Sequence, residues 1–382
     1  MVKRESWREL VEATWLRRPV IWLCGVRRSG KTSLCRSLDD VEYFDCELPR
    51  TRRLMEDPEE FLGGLEGKRV VLDEVHRLQD PSELLKIAAD HHPSIKVIAT
   101  GSSVLEASGK FRDKLTGRKS QVWLTPMNAR DFDDFGGVSL SQRLLRGGLP
   151  PFFLATDSAE TEFQEWIDSY WAKDIQELFR LERRGPFAKL LELLFLQSGG
   201  MFEATKFAAP CEISRGTVGN YLSVLEATKV VHVIRPFSSR GPSEIVSAPK
   251  VYAFDTGFVC YFRGWDRLRP EDMGLLWEHY LLNEMQSLLQ ERPVNYWRDK
   301  QGHEVDFILA GRGGHPTAIE GKWKATAFDP AGLCAFRKKH PDGVNWVVCS
   351  DVSKGFARSY GGFTVRFCGL GELRSLLRVG SL

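Results

Sequence analysis

Two stretches of this 382-residue chain hold residue types that carry phosphate chemistry. In "PVIWLCGVRRSGKTSLCRSL" an apolar run, Val20 to Cys24, leads into Gly25-x-x-x-x-Gly30-Lys31-Thr32, and a helical pattern through Leu34 and Leu38 follows. Glycines let backbone N–H groups wrap phosphates, and the helix N-terminus adds a favourable dipole. Gly25, Arg28, Ser29, Gly30, Lys31, Thr32 and Ser33 are therefore expected to cradle ATP, with Lys31 on the β- and γ-phosphates and Thr32 on Mg²⁺. Further on, Val70, Val71 and Leu72 end in Asp73 and Glu74. Asp73 is expected to bind Mg²⁺ through water and Glu74 to polarise the attacking water; a solvated acidic turn is the plainer alternative.

The other stretch, "HEVDFILAGRGGHPTAIEGKWK", sets Asp306 inside an apolar run and follows it with Glu320 and Lys322. Strand period 2 puts Glu320 and Lys322 on one face, and a hairpin across "AGRGGHP" brings Asp306 to the same spot. The pattern reads either as a metal site or as two ordinary amphipathic strands. As a site, Asp306 and Glu320 ligate Mg²⁺, Glu278 from the helix "GLLWEHYLLNEMQSLLQ" completes the set, and Lys322 activates water or stabilises charge on a phosphate. His303 and Glu304 read as supporting residues. Gly321 between acid and lysine is expected to loosen the strand and the site's preorganisation.

The first set of residues needs a parallel sheet. Buried-strand patterns fall at Val20–Cys24, Val41–Cys46, Arg69–Asp73, Lys96–Thr100 and Gln121–Thr125, with helices between, predicting a five-stranded α/β layer covered on both faces. At the tip of the fourth strand Ser102 or Thr100 is a candidate γ-phosphate sensor, or else a turn or helix cap. Gly117-Arg118, just before the fifth strand, offers an arginine finger for a neighbouring subunit, or an ordinary surface arginine.

The spacing of Trp166, Ile167, Tyr170, Trp171, Ile175, Leu178 and Phe179 predicts one long amphipathic helix over 156–183. The section after it reads helix, glycine break, short helix, turn, helix, strand, the order of a winged helix-turn-helix. Ser214 caps a helix that buries Val218, Leu222 and Leu225 and turns Arg215, Thr217 and Asn220 to solvent, with Tyr221 a further outward candidate, so Arg215, Thr217 and Asn220 are candidate DNA contacts. Protein–protein packing is the competing use. "SSRGPSEIVSAPK" is the expected wing or linker. The last module has the element order α-β-β-β-α-β.

Composition sets bounds on all of this. Lys plus Arg number 53 against 51 Asp plus Glu, a net charge of +2, so nucleic-acid binding must come from local patches rather than a global polycation. A hydrophobic fraction of 42% over this length supports two or three domains with cores of their own. No apolar run approaches the about 20 residues of a membrane span, and no leader pattern opens the chain, so a cytoplasmic protein without membrane contact is expected. The eight cysteines lack C-x-x-C spacing and read as buried thiols.

With those residues set out, "GVRRSGKT", "VVLDEV", "IATGSS" and "KLTGR" resemble an AAA+ ATPase (P-loop, AAA_14-like) that carries a C-terminal DUF4143 domain, and "RGGLP" (Arg146 to Pro150) and "KVYAFDTG" (Lys250 to Gly257) extend the likeness along nearly the whole chain. The resemblance implies ATP hydrolysis in a homo-oligomeric ring, with a hexamer among the expected sizes and Arg118 supplied in trans. It implies, together with the element order, a PD-(D/E)xK nuclease-like, restriction-endonuclease-like C-terminal fold. The expected organisation is an ATPase domain over 1–155, a helical lid and winged helix over 156–245, and the nuclease-like domain over 246–382. The expected function is Mg²⁺-dependent ATP hydrolysis coupled to binding and remodelling or cleavage of double-stranded or branched DNA. The alternatives are a junction motor with a non-cleaving nuclease fold and an ATP-dependent switch or scaffold for protein partners.

Overall fold

A computed structural model describes residues 2–101, 115–137, 139–155, 160–176, 179, 181, 183–238, 248–311 and 315–379. The chain divides into two compact units: Met1–Gln142, Gly147–Arg184 and Ser223–Val230 form one, and Arg143–Arg146, Gly185–Leu222 and Val231–Leu382 form the other.

In the first unit five parallel strands, β1 (Val20–Cys24), β2 (Val41–Asp45), β3 (Arg69–Asp73), β4 (Lys96–Thr100) and β5 (Lys119–Trp123), lie in the order β2-β3-β4-β1-β5. The central strands β1, β3 and β4 are buried on both faces, as a run of consecutive apolar residues demands. Along β1, Val20, Trp22 and Cys24 face one core, while Ile21 and Leu23 face the other. The helix Glu5–Trp15 covers that second face with Trp7, Val11 and Trp15, one residue per turn. Because β4 lies between β1 and β3, the tips of three strands converge on one edge of the sheet.

The fifth strand starts two residues earlier than its apolar pattern suggests, since edge residues Lys119 and Ser120 pair with Val20 and Ile21. Of the long helix expected over 156–183, residues 160–176 are an α-helix, Glu160–Tyr170, that widens into a π-helix over Trp171–Gln176, while 156–159, 177, 178, 180 and 182 lie outside the described residues. Wider π turns occur where side chains must be re-aimed, often at functional sites.

The second unit holds one nine-stranded sheet, order β13-β14-β12-β11-β10-β9-β7-β8-β6. Its strands are β6 (Gly200–Met201), β7 (Val231–Pro236), β8 (Lys250–Ala253), β9 (Asn295–Arg298), β10 (Glu304–Leu309), β11 (Thr317–Lys322), β12 (Asn345–Cys349), β13 (Phe356–Tyr360) and β14 (Phe363–Cys368). The expected boundary at 245/246 falls between β7 and β8, which pair antiparallel, and β7 also pairs in parallel with β9. The α-β-β-β-α-β order is present as helix Met273–Leu289, β9, β10, β11, helix Ala331–Lys339 and β12; β13, β14 and helix Leu370–Val379 extend it. Strict alternation along β10 is broken: the register against β9 slips between Val305 and Ile308, and both residues face the same core. A bulge of this kind re-aims the residues between them, here Asp306 and Phe307. Among the described residues no helix is long and apolar enough to cross a membrane. Seven of the eight cysteines are buried thiols and Cys334 is half-buried.

Candidate functional site

Gly25 leaves β1 at φ 151°, and a Cβ there would lie 2.5 Å from the Leu124 carbonyl oxygen. Only glycine permits that approach. Arg28 (φ 63°) and Gly30 (φ 97°) then turn the loop left-handed, and Gly30 opens the helix Lys31–Arg36. Lys31 Nζ donates to the carbonyls of Gly25 (2.8 Å) and Val26 (3.2 Å), so the ammonium is folded over its own loop. Ser29 is fully buried and its Oγ has no hydrogen-bond partner among the described residues. Ser33 lies in the first turn of the helix and borders the cavity beside the loop.

The acids stand where the sequence put them. Asp73, at the end of β3, accepts hydrogen bonds from the hydroxyls of Thr32 (2.9 Å), Tyr43 and Thr100. Next to it Glu74 occupies a left-handed turn (φ 58°), a strained conformation for a non-glycine residue of the kind that clusters at functional sites. Its N–H donates to Thr100 Oγ1 (3.1 Å), and its carboxylate meets His76 Nδ1 at 3.1 Å. Burial alone would raise the Glu74 pKa, but His76, Lys31 and Arg27 hold it below the ordinary carboxylate range. Glu74 is therefore ionised at neutral pH.

Gly25, Gly30, Lys31, Thr32, Glu74 and His76 border a cavity of about 360 Å³, within the size range of small-molecule sites. Its far side is built by Pro150, Tyr170, Thr228 and Val230, none of them marked as a nucleotide contact by any motif. Tyr170 stacks on Trp166 (5.1 Å) and bonds Thr228 Oγ1 (2.7 Å). The π-helix contributes Asp174, which accepts from Arg27 Nε at 2.9 Å, while Arg28 pairs with Glu165 at 3.5 Å. Arg4 braces the loop from below, donating to the Ser29 carbonyl (3.1 Å) and to buried Asp131 (2.6 Å). Arg118 is paired with Asp90 (2.7 Å), so reaching a neighbouring subunit requires breaking that pair. Ser102 lies outside the described residues, and Thr100 is committed to Asp73.

For Mg²⁺ the donors fit: Thr32 and Asp73 form a hydroxyl–carboxylate pair beside a lysine and a buried, unpartnered serine hydroxyl.

In the second unit Asp306, Glu320 and Lys322 do converge. Lys322 Nζ lies 2.6 Å from Glu320 Oε2 and 3.0 Å from Asp306 Oδ2, and the Gly321 N–H donates to the same Asp306 oxygen at 2.9 Å. Burial and the Asp306 charge push Glu320 well above the usual carboxylate range; burial works against Asp306 too, but Lys322 and Lys250 hold it low. Glu278 bonds to the Tyr252 hydroxyl and Lys250 Nζ (3.4 Å). Among the described residues no three His, Cys, Asp or Glu side chains are arranged to hold a metal, and Lys322 is the common partner of Asp306 and Glu320. The carboxylates are satisfied by ammonium groups instead. Gly321 also differs from expectation. A Cβ there would meet Leu281 Cδ2 at 3.1 Å, so the glycine admits the helix Met273–Leu289 onto the strand rather than loosening it.

The helix Arg215–Ala227 buries Val218, Leu222 and Leu225 as its spacing predicts and exposes Arg215 and Asn220. Ser214 Oγ caps it by accepting from the Thr217 N–H (3.1 Å), leaving Thr217 half-buried. Tyr221 does not face out: it is buried against Phe187 at 5.3 Å. Most of the expected wing lies outside the described residues.

The parallel sheet and its phosphate loop define a P-loop ATPase domain of the AAA type, and residues 17–133 match the family model AAA_14, an AAA domain. Residues 138–269 match DUF8612 and residues 273–358 match DUF4143, each a domain of unknown function. Over 311 residues the chain is 31% identical to the uncharacterized proteins Rv2008c of Mycobacterium tuberculosis and Mb2031c of Mycobacterium bovis, which covers 78% of this chain and 69% of each relative. The chain belongs to the family of these mycobacterial proteins. Among solved structures it is similar to a Walker-type ATPase of Pyrococcus abyssi, 18% identical over 69% of this chain and 96% of that one, TM-score 0.43. It is also similar to a signal transduction ATPase with numerous domains from Pyrococcus horikoshii, 13% identical over 75% and 47%, TM-score 0.29.

Proposed function

We propose that the chain hydrolyses ATP with Mg²⁺ and uses the cycle to bind and remodel DNA. The observation that carries the first half is the meeting of Lys31, Thr32 and ionised Glu74 at one cavity, with Asp73 hydrogen-bonded to Thr32. On nucleotide binding the Lys31 ammonium exchanges two loop carbonyls for phosphate oxygens. Thr32 and Asp73 would hold Mg²⁺, which when bound neutralises charge on the phosphates. Glu74 orients a water and accepts its proton as the new oxygen–phosphorus bond forms and the β–γ bridge breaks, with the bridging oxygen leaving on ADP. Tyr170 and Thr228 line the side left for the nucleoside.

The DNA half rests on the helix Arg215–Ala227, with its exposed Arg215 and Asn220, and on the three-stranded antiparallel arrangement of β7, β8 and β6 behind it, as in a winged helix. Replacing Arg215 and Asn220 together by Ala is expected to leave DNA-free ATPase activity unchanged, to weaken DNA binding and to lower its salt slope by about 1. Unchanged DNA affinity and slope would leave the switch or scaffold reading in its place. DNA-stimulated turnover in a ring, compared with DNA-free turnover, tests the coupling.

A specific observation favours a second reading of the C-terminal unit, that its nuclease-like site recognises DNA without cutting it: Asp306 and Glu320 are already paired with Lys322. Incubation of the wild-type protein with linear, forked and four-way DNA in Mg²⁺ or Mn²⁺ decides between the two, with Asp306-dependent cleavage restoring the nuclease reading.

A further inference from the structure

The carboxylates of the C-terminal unit face a second cation that the sequence pattern did not single out. Lys250, the first residue of β8, is buried, and its ammonium lies 2.5 Å from Glu304 Oε1 and 3.4 Å from Glu278 Oε1. The rings of Tyr252 and Tyr296 lie 5.9 and 5.8 Å from it, within cation–π range. Tyr252 also gives its hydroxyl hydrogen to Glu278. Glu304 and Glu278 come from a strand and a helix far apart in sequence, so the ammonium is the common partner that joins them.

We propose that Lys250 is the resident cation of this site, standing where a divalent ion would have to bind, so that the folded protein keeps the site closed to Mg²⁺ and Mn²⁺. A divalent ion needs several oxygen ligands turned toward one point. Here Glu304 and Glu278 turn toward Lys250, and Asp306 and Glu320 turn toward Lys322. A metal would have to expel a charged, hydrogen-bonded lysine from a buried pocket, leaving that charge unpaired. This gives the non-cleaving reading a physical cause, and it is tested without DNA so that the two stand or fall separately.

The test is Mn²⁺ binding to the full-length, nucleotide-free protein, followed by electron paramagnetic resonance of the free ion. Wild type and Asp306→Asn are expected to bind the same number of Mn²⁺ ions. Lys250→Met, which keeps the stem and removes the charge, is expected to gain one Mn²⁺ at least about tenfold tighter than any wild-type site in the unit, and Lys250→Met with Asp306→Asn is expected to lose it. A wild-type Mn²⁺ that disappears on Asp306→Asn overturns the proposal. So does a folded Lys250→Met protein, with its ATPase activity intact, that takes up no further ion. Lys250→Gln serves if the Met variant does not fold, and the comparison of wild type with Asp306→Asn can overturn the proposal without any change at Lys250.

Discussion

Thr32 Oγ1 donates to Asp73 Oδ2 across 2.9 Å, so the first turn after the phosphate loop is tied directly to the end of β3. The two residues expected to hold Mg²⁺ are thus already preorganised, and Tyr43, from the neighbouring edge strand β2, shares the same carboxylate oxygen. What nucleotide binding adds is the exchange at Lys31.

That division of labour separates two variants. Lys31→Ala removes the phosphate contact, so nucleotide affinity should fall by about tenfold or more. Glu74→Gln keeps the cradle and removes the proton acceptor, so binding should persist while turnover falls by roughly 10²-fold or more. Equilibrium binding of a fluorescent ATP analogue, run beside phosphate release, checks both.

Arg118 is held by Asp90 within its own chain. If it acts in trans, Arg118→Ala lowers turnover only in the assembled state, and mixing it with Glu74→Gln protein restores part of the activity. Phosphate release measured against mixing ratio and protein concentration reads this out; turnover unaffected by Arg118→Ala at every concentration leaves Arg118 as a surface ion pair.

Asp131 is fully buried and receives two hydrogen bonds from Arg4, which also supports the phosphate loop through the Ser29 carbonyl. Removing one partner of such a pair strands the other charge, so Asp131→Ala should cost about 3–5 kcal/mol. Urea unfolding of the first unit's signal, followed by tryptophan fluorescence, measures it. Weakened nucleotide binding should accompany the loss.

His279 is buried in the second unit, its Nδ1–H donating to the Leu275 carbonyl (2.8 Å) and its Nε2 accepting from Ser198 Oγ (2.6 Å). Burial holds the ring neutral and lowers its pKa from 6.5 to about 4. The unfolded chain therefore binds a proton that the folded one refuses, and this contribution to stability, present above pH 6.5, is lost as the pH falls toward 4. The slope in that window is at most about 1.4 kcal/mol per pH unit. Chemical denaturation at several pH values tests it, and His279→Gln should flatten the dependence.

The ATPase site was legible because each of its parts is local. A glycine loop, a lysine and a strand ending in two acids sit in short runs whose backbone geometry fixes their use, and β1, β3 and β4 fall at their expected residues. Tyr43, Arg4 and the residues around Tyr170 were not legible, because they reach the site from other elements and look like ordinary edge, surface or core positions in sequence. In the second unit, period 2 correctly placed Glu320 with Lys322 but missed the bulge in β10, which depends on pairing with β9. The pairing of Glu278 with Lys250 was not legible for the same reason: Lys250 lies in "KVYAFDTG", whose pattern reads simply as a strand. Gly321 was read as weakness because the helix that fills its space is distant in sequence.

A cation carried on a side chain differs from a dissolved one in its supply. The ammonium of Lys250 is delivered by synthesis in a fixed ratio of one per chain, and it cannot be chelated, diluted or exchanged for another ion. On the proposal above, the cation between the carboxylates Glu278 and Glu304 should therefore stay in place whatever the ionic composition of the surroundings.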